Sequence, residues 1–124
     1  MSSTAEKRLS GDPSLILTNA PAANVAAVVT FPAVVGFKNS VITFSLSASG
    51  ITPAVARATL VFTQGGVVKT LGFQMPAAQL GPMQFSFTSH PIEGDENTSI
   101  VLTLPAMGAS QTGEAWMTGY LSAA

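Results

Sequence analysis

A chain of 124 residues with 47% hydrophobic content is sized for one domain with one buried core and leaves no room for two. Cysteine is absent, which excludes disulfides and thiolate metal sites. Charged residues make up only 9% of the chain and the net charge is −1. That balance argues against nucleic acid as a partner, and no apolar run is long enough for a transmembrane helix.

Residues 1–13 are small, polar and charged and end in Gly11-Asp12-Pro13. They are expected to form a flexible N-terminal arm carrying Glu6, Lys7, Arg8 and Asp12. The arm lacks the apolar stretch of a signal peptide, so the chain is expected to be made and used without secretion by that route.

From Leu15 onward the periodicity is β, with alternating runs cut by Gly and Pro. The first runs are Ser14–Thr18 and Asn24–Phe31. Ser40–Ser49 is the clearest, with Ile42, Phe44 and Leu46 on one face and Thr43, Ser45 and Ser47 on the other. Ala56–Thr63 and Val67–Met75 flank Gly65-Gly66 as a hairpin. Ala58, Leu60 and Phe62 face inward on the first strand, and Leu71, Phe73 and Met75 share a face on the second. Met83–Thr88 follows, then a polar turn over Pro91–Asn97, then Ser99–Leu104 with Ile100, Leu102 and Leu104 inward. A Gly/Ser loop over Pro105–Gly113 leads to the last strand, Glu114–Leu121. The seven phenylalanines are assigned to the core. Short strands at near-regular spacing predict an all-β antiparallel sandwich over residues 14–124.

The search for chemistry yields little. His90 stands alone beside Pro91, without the second group that a general base or metal site needs. Glu93, Asp95 and Glu96 lack the spacing of a calcium loop and are expected to be a solvated acidic turn. Glu114 has no evident carboxylate partner for glycoside hydrolysis, and Gly65-Gly66 has no following helix or lysine to make a phosphate loop. Asn97-Thr98-Ser99 matches the glycosylation triplet but has no secretion signal beside it. Trp116 and Tyr120 share one parity on the last strand. Packing in the core or over an edge is the expected placement, and an exposed aromatic stripe that binds sugar or protein is the competing one. No catalytic residue, cofactor or metal ligand is expected.

The charge density is unusually low. A folded surface of about 6,200 Å² would carry about one charge per 560 Å², against about one per 200 Å² at average composition. A surface this neutral points to coverage by partner subunits.

The run Phe87–Leu104, the Gly-containing loop after it and Thr112-Gly113-Glu114-Ala115-Trp116-Met117-Thr118-Gly119-Tyr120 resemble small structural proteins of tailed bacteriophages, of the decoration or cement type. The likeness is one of turn residues and strand spacing, and it covers most of the chain after the arm. The chain departs from the pattern in its charged arm and in Trp116. The resemblance implies a jelly-roll-like sandwich on the capsid surface of a virion, made in the host cytoplasm. Its implied partners are further copies of itself, as a homotrimer or lattice, and a major capsid protein. Glu6, Lys7, Arg8 and Asp12 in the arm, with Trp116 and Tyr120, are the candidate interaction residues, together with the loops around Pro76–Pro82 and Pro105–Gly113. The alternative is a receptor- or carbohydrate-binding module of a phage tail or other surface structure.

Overall fold

The computed structural model describes residues 14–49, 56–76 and 82–124; the expected arm and most of the Pro76–Pro82 loop lie outside them. Nine strands follow in chain order. They are β1 (Ser14–Asn19), β2 (Ala27–Phe31), β3 (Phe37–Ser49), β4 (Ala56–Gln64), β5 (Val67–Met75), β6 (Met83–Ser86), β7 (Ile92–Glu93), β8 (Ile100–Leu104) and β9 (Thr112–Ala123). They form two antiparallel sheets, ordered β1-β9-β3-β6 with β7 also on β3, and β2-β8-β4-β5.

The pairing is nested. β1 pairs with β9, β2 with β8, β3 with β6 and β7, and β4 with β5. The chain is thus one long hairpin, tipped at Gly65-Gly66 and rolled until its outer strands meet, which is the strand order of a jelly roll. Both tip glycines have positive φ (60° and 75°), as a two-residue hairpin turn that follows the strand twist requires.

Alternation buries one face of each sheet. Ala58, Leu60 and Phe62 of β4 and Ile100, Leu102 and Leu104 of β8 close on Phe44, Leu46, Ala115 and Met117 from β3 and β9. At the flank where β5 and β6 are the edges, Phe73 and Phe85 meet at 4.7 Å and Phe44 packs against both at 4.9 Å. This aromatic cluster joins the two layers there. At the other flank β1 lies against β2, and Asn19 Nδ2 donates to the Val28 carbonyl at 3.0 Å.

Several strands differ from the sequence expectation. Asn24 takes a left-handed φ of 59° and its N–H donates to the Gln111 carbonyl, so β2 begins only at Ala27. β3 starts three residues earlier than expected and its pairing with β9 slips between Val41 and Thr43. Ile42 is the extra residue of this bulge, and Val41, wholly buried, takes the inward place assigned to Ile42. The Ile42 carbonyl is satisfied by the Phe87 N–H at 2.6 Å. Ile92 and Glu93, expected in a turn, pair with Val41 and Ser40. Leu71, on the same face of β5 as the buried Met75, is 38% exposed, because β5 overhangs a facing sheet whose strands there are four and two residues long. Phe37 is only half-buried.

Candidate interaction surface

The antiparallel order sends the β2–β3, β4–β5 and β7–β8 connections to one end of the sandwich and the β1–β2 and β8–β9 connections to the other. The first end is laced by polar contacts. Asp95 accepts hydrogen bonds from the N–H groups of Gly65 (3.0 Å) and Gly66 (2.8 Å), which the hairpin turn leaves pointing outward. Its own N–H donates to Thr63 O, and its carbonyl accepts from Thr98 Oγ1 at 2.7 Å. Gln64 Nε2 donates to the Glu93 carbonyl at 2.8 Å, and Lys38 lies 3.7 Å from the Glu93 carboxylate. The acidic turn is therefore a clasp on the β4–β5 hairpin. Among the described residues no group of His, Asp and Glu is gathered in a way that would hold a metal ion.

The two backbone bonds, from Gly66 first and Gly65 second, hold the Asp95 carboxyl below its ordinary range, with Lys38 and Lys69 adding to the effect. A lowered folded-state pKa favours the native state at pH values above the ordinary 3.8, and that contribution disappears as pH falls through the lowered value. Asp95→Ala is expected to lower the urea midpoint at neutral pH. The difference from the parent should vanish toward the acid limit, and a gap that stays constant with pH would show that the clasp is not ionic.

At the opposite end a cleft of about 260 Å³ is lined by Ala20, Pro21, Ser47, Ala48, Ser49, Thr112, Gly113 and Glu114. The Ser49 and Thr112 hydroxyls bond to each other. Among the described residues Glu114 is the only titratable group in the lining. The Pro105–Gly113 loop is only partly a surface element, since Met107 (2% exposed) and Gly113 are buried.

Trp116 and Tyr120 lie on the outer face of the first sheet, opposite in parity to the inward Ala115 and Met117. Tyr120 is only 6% exposed and Trp116 is half-buried, in register with Thr18 and Ser45. The two do not form an exposed stripe. Trp116 instead adjoins Glu114, two residues away on the same face and on the rim of the cleft. Glu6, Lys7, Arg8 and Asp12 lie outside the described residues. His90 is exposed in the bend before β7.

The charges of the body are gathered. Of the seven Asp, Glu, Lys and Arg among the described residues, Lys38, Lys69, Glu93, Asp95 and Glu96 sit at the clasp end, leaving Arg57 and Glu114. Residues 14–37, which include both edge strands β1 and β2, carry none. Along that flank Ile16 (71%), Val28 (41%) and Val25 (48%) are exposed. On the opposite flank β5 exposes Val67, Val68 and Leu71. The sequence carried a signal for the first flank, its unbroken uncharged run, but only the fold shows that β1 and β2 line one side. No protein-family model matches the chain, and no curated protein sequence matches it either.

Proposed function

We propose that the chain is a non-enzymatic structural subunit of a tailed-phage virion, which decorates the capsid surface and stabilises it through subunit–subunit and arm contacts. The observation that carries this reading is the segregation of charge. The sandwich gathers five of the seven charges among its described residues at one end and leaves the β1–β2 flank neutral and aliphatic, as a body packed side by side among partners needs and a free monomer does not. The resemblance of the last third of the chain to decoration proteins points the same way. Its partners are copies of itself and a major capsid protein, and many weak contacts repeated by symmetry add up to firm attachment. The lone exposed His90 and the engagement of Glu93 and Asp95 in the clasp support a role without catalysis.

The test is immunogold electron microscopy with antibodies to the purified chain, on virions of the phage that encodes it. Gold spread over the head is expected, and particles without label would overturn the reading. In the arm, replacing Lys7 and Arg8 together by alanine is expected to weaken capsid binding about tenfold at low salt, the worth of two exposed ion pairs. Unchanged co-sedimentation with capsids would remove the arm from the docking scheme.

The second reading, a receptor- or carbohydrate-binding module, is favoured by the cleft lined by Ser47, Ser49, Thr112 and Glu114. Trp116 is the only tryptophan and lies two residues from Glu114 of the cleft lining, so its fluorescence is a nearby probe. An emission shift with a particular oligosaccharide, together with gold confined to the tail, would favour this reading over the first.

A further inference from the structure

We infer that the N-terminal arm, residues 1–13, folds back over the clasp-end half of the first sheet's outer face and closes over Tyr120 of its own chain. The inference concerns the isolated chain and does not rest on the proposed function.

Ser40, Tyr120 and Ser122 point away from the core, opposite in parity to the inward Val41 of β3 and Met117 of β9. The outer face of an antiparallel sheet is ordinarily wet. These three are nevertheless 0%, 6% and 2% exposed, whereas Ile16 of β1, on the same face, is 71% exposed. Their own row does not hide the ring of Tyr120. Its partners across the sheet are Ser14 and Ser40, and Ser122 stands two positions on, all too small to cover a phenol. The second sheet packs on the opposite side of β3 and β9. Ser40 Oγ is in addition buried without a hydrogen-bond partner among the described residues, although buried hydroxyls are as a rule paired. The face therefore has a cover that the described residues do not supply.

Three stretches lie outside the described residues, and their points of attachment choose among them. Residues 50–55 join Ser49 to Ala56, and residues 77–81 join Pro76 to Pro82. Ser49 pairs with Thr112, Ala56 with Met75 and Met83 with Leu46, so both stretches are tied toward the cleft end. From Thr112 to Tyr120 is about 27 Å of strand, beyond the reach of a short stretch tied at both ends. The arm instead joins β1 at Ser14, directly beside Tyr120. Its 13 residues extend to about 45 Å, and Ser40 is only two strands, about 10 Å, from Ser14. The chemistry fits as well. Carried on from Ser14, the register sets Asp12 against Ser122, whose other partner is Lys38. The Lys38–Glu93 pair at the rim offers both signs to Glu6, Lys7 and Arg8, and Leu9 is an aliphatic cover for the ring. The arm of a second copy competes poorly for this seat, because a tether beside it gives the chain's own arm an effective concentration of about millimolar. An arm seated at home is not free to dock elsewhere, so arm contact with a capsid becomes an exchange of one seat for another.

Tyr120 is the only tyrosine, so nitration by tetranitromethane reads its cover directly. Removing residues 2–12 is expected to raise the nitration rate about tenfold, with circular dichroism checking that the sandwich persists. An unchanged rate in the folded, shortened chain overturns the inference, since the sheet alone would then hide the ring. The full-length Tyr120→Phe chain carries an arm and no tyrosine. Mixed in excess with the shortened chain, it is expected to leave the fast rate as it is. Protection of Tyr120 in that mixture would mean that the arm crosses to a second copy, and overturns the inference too. A nitroxide on Ser3→Cys, in a chain with no other cysteine, gives a measurement that needs no deletion. It is expected to broaden the amide signals of Ser40 and Ser122, and signals as sharp as with the reduced label count against the arm. None of these outcomes bears on the gold label on virions, so this inference and the proposed function fail separately.

Discussion

Replacing Asn39 by aspartate is expected to unfold the protein at neutral pH or bring it close to unfolding. Asn39 is fully buried near the start of β3. Its amide nitrogen donates to the carbonyls of Pro32 at 2.9 Å and Thr98 at 3.0 Å, with Phe31 O a longer contact at 3.5 Å. The Asn39 main-chain carbonyl separately accepts from the Gly94 N–H at 2.9 Å. One side chain thus ties the end of β2 and the β7–β8 connection to β3. An aspartate there turns a donor into an acceptor and sets a buried charge against carbonyl oxygens, at a cost of about 3–5 kcal/mol. That is a large part of the whole stability of a small domain. Burial raises the folded-state pKa of the new carboxyl. The loss should therefore be smallest below about pH 4, where the group is protonated in both states, and should grow as pH rises. Asn39→Leu removes the donors without adding a charge, and is expected to cost less and to show no such pH dependence. Urea unfolding of both variants across acid and neutral pH checks this. Equal losses at all pH values would mean that the hydrogen bonds, and not the buried charge, set the effect.

Gly119→Ala is expected to cost about 3 kcal/mol, the upper end of the range for overpacked cores. Gly119 sits in β9 opposite Val41 on one side and Leu15 on the other, where the bulge at Ile42 draws β3 close. A Cβ there would run into the Ser40 carbonyl and come within 2.9 Å of the Phe31 ring. The main obstacle is backbone held in a sheet, so neither a rotamer change nor a small shift relieves it. Gly113, in the same strand, gives the comparison. A Cβ at Gly113 would meet Leu104 Cδ2 at 2.9 Å, the movable end of a side chain. Gly113→Ala should therefore lose clearly less than Gly119→Ala in the same thermal or urea titration. Equal losses would mean that the Ser40 backbone is not what sets the cost at Gly119, since backbone entropy alone favours alanine at both sites.

These two positions mark the limit of what the sequence tells. The inward faces of β4 and β8 follow from strict alternation, and the Gly-Gly turn from the need for positive φ, so both are legible residue by residue. The bulge is not. Val41 and Ile42 are both apolar, and either fits the inward place until the pairing with β9 is known. The exposure of Leu71 depends on how short the facing strands are, which is a property of distant residues. Asp95 reads as a solvated carboxylate because its partners, Gly65 and Gly66, lie some thirty positions away in sequence. For the interaction surface, composition told that charge was scarce. The nested strand order turned that scarcity into a place, by putting the uncharged residues 14–37 along one flank. Tyr120 and Trp116 share a parity in the sequence, but their shielding on the outer face depends on surroundings that a single run cannot reveal.

Self-assembly of this sparsely charged body is the central expectation. The direct measurement is the mass of the purified, unmodified chain by size-exclusion chromatography with light scattering, over a wide concentration range and at low and high salt. A fixed multiple of 12.6 kDa that persists at high salt is the expected result, since the β1–β2 flank carries no charge to screen. A single 12.6 kDa species at every concentration would contradict it.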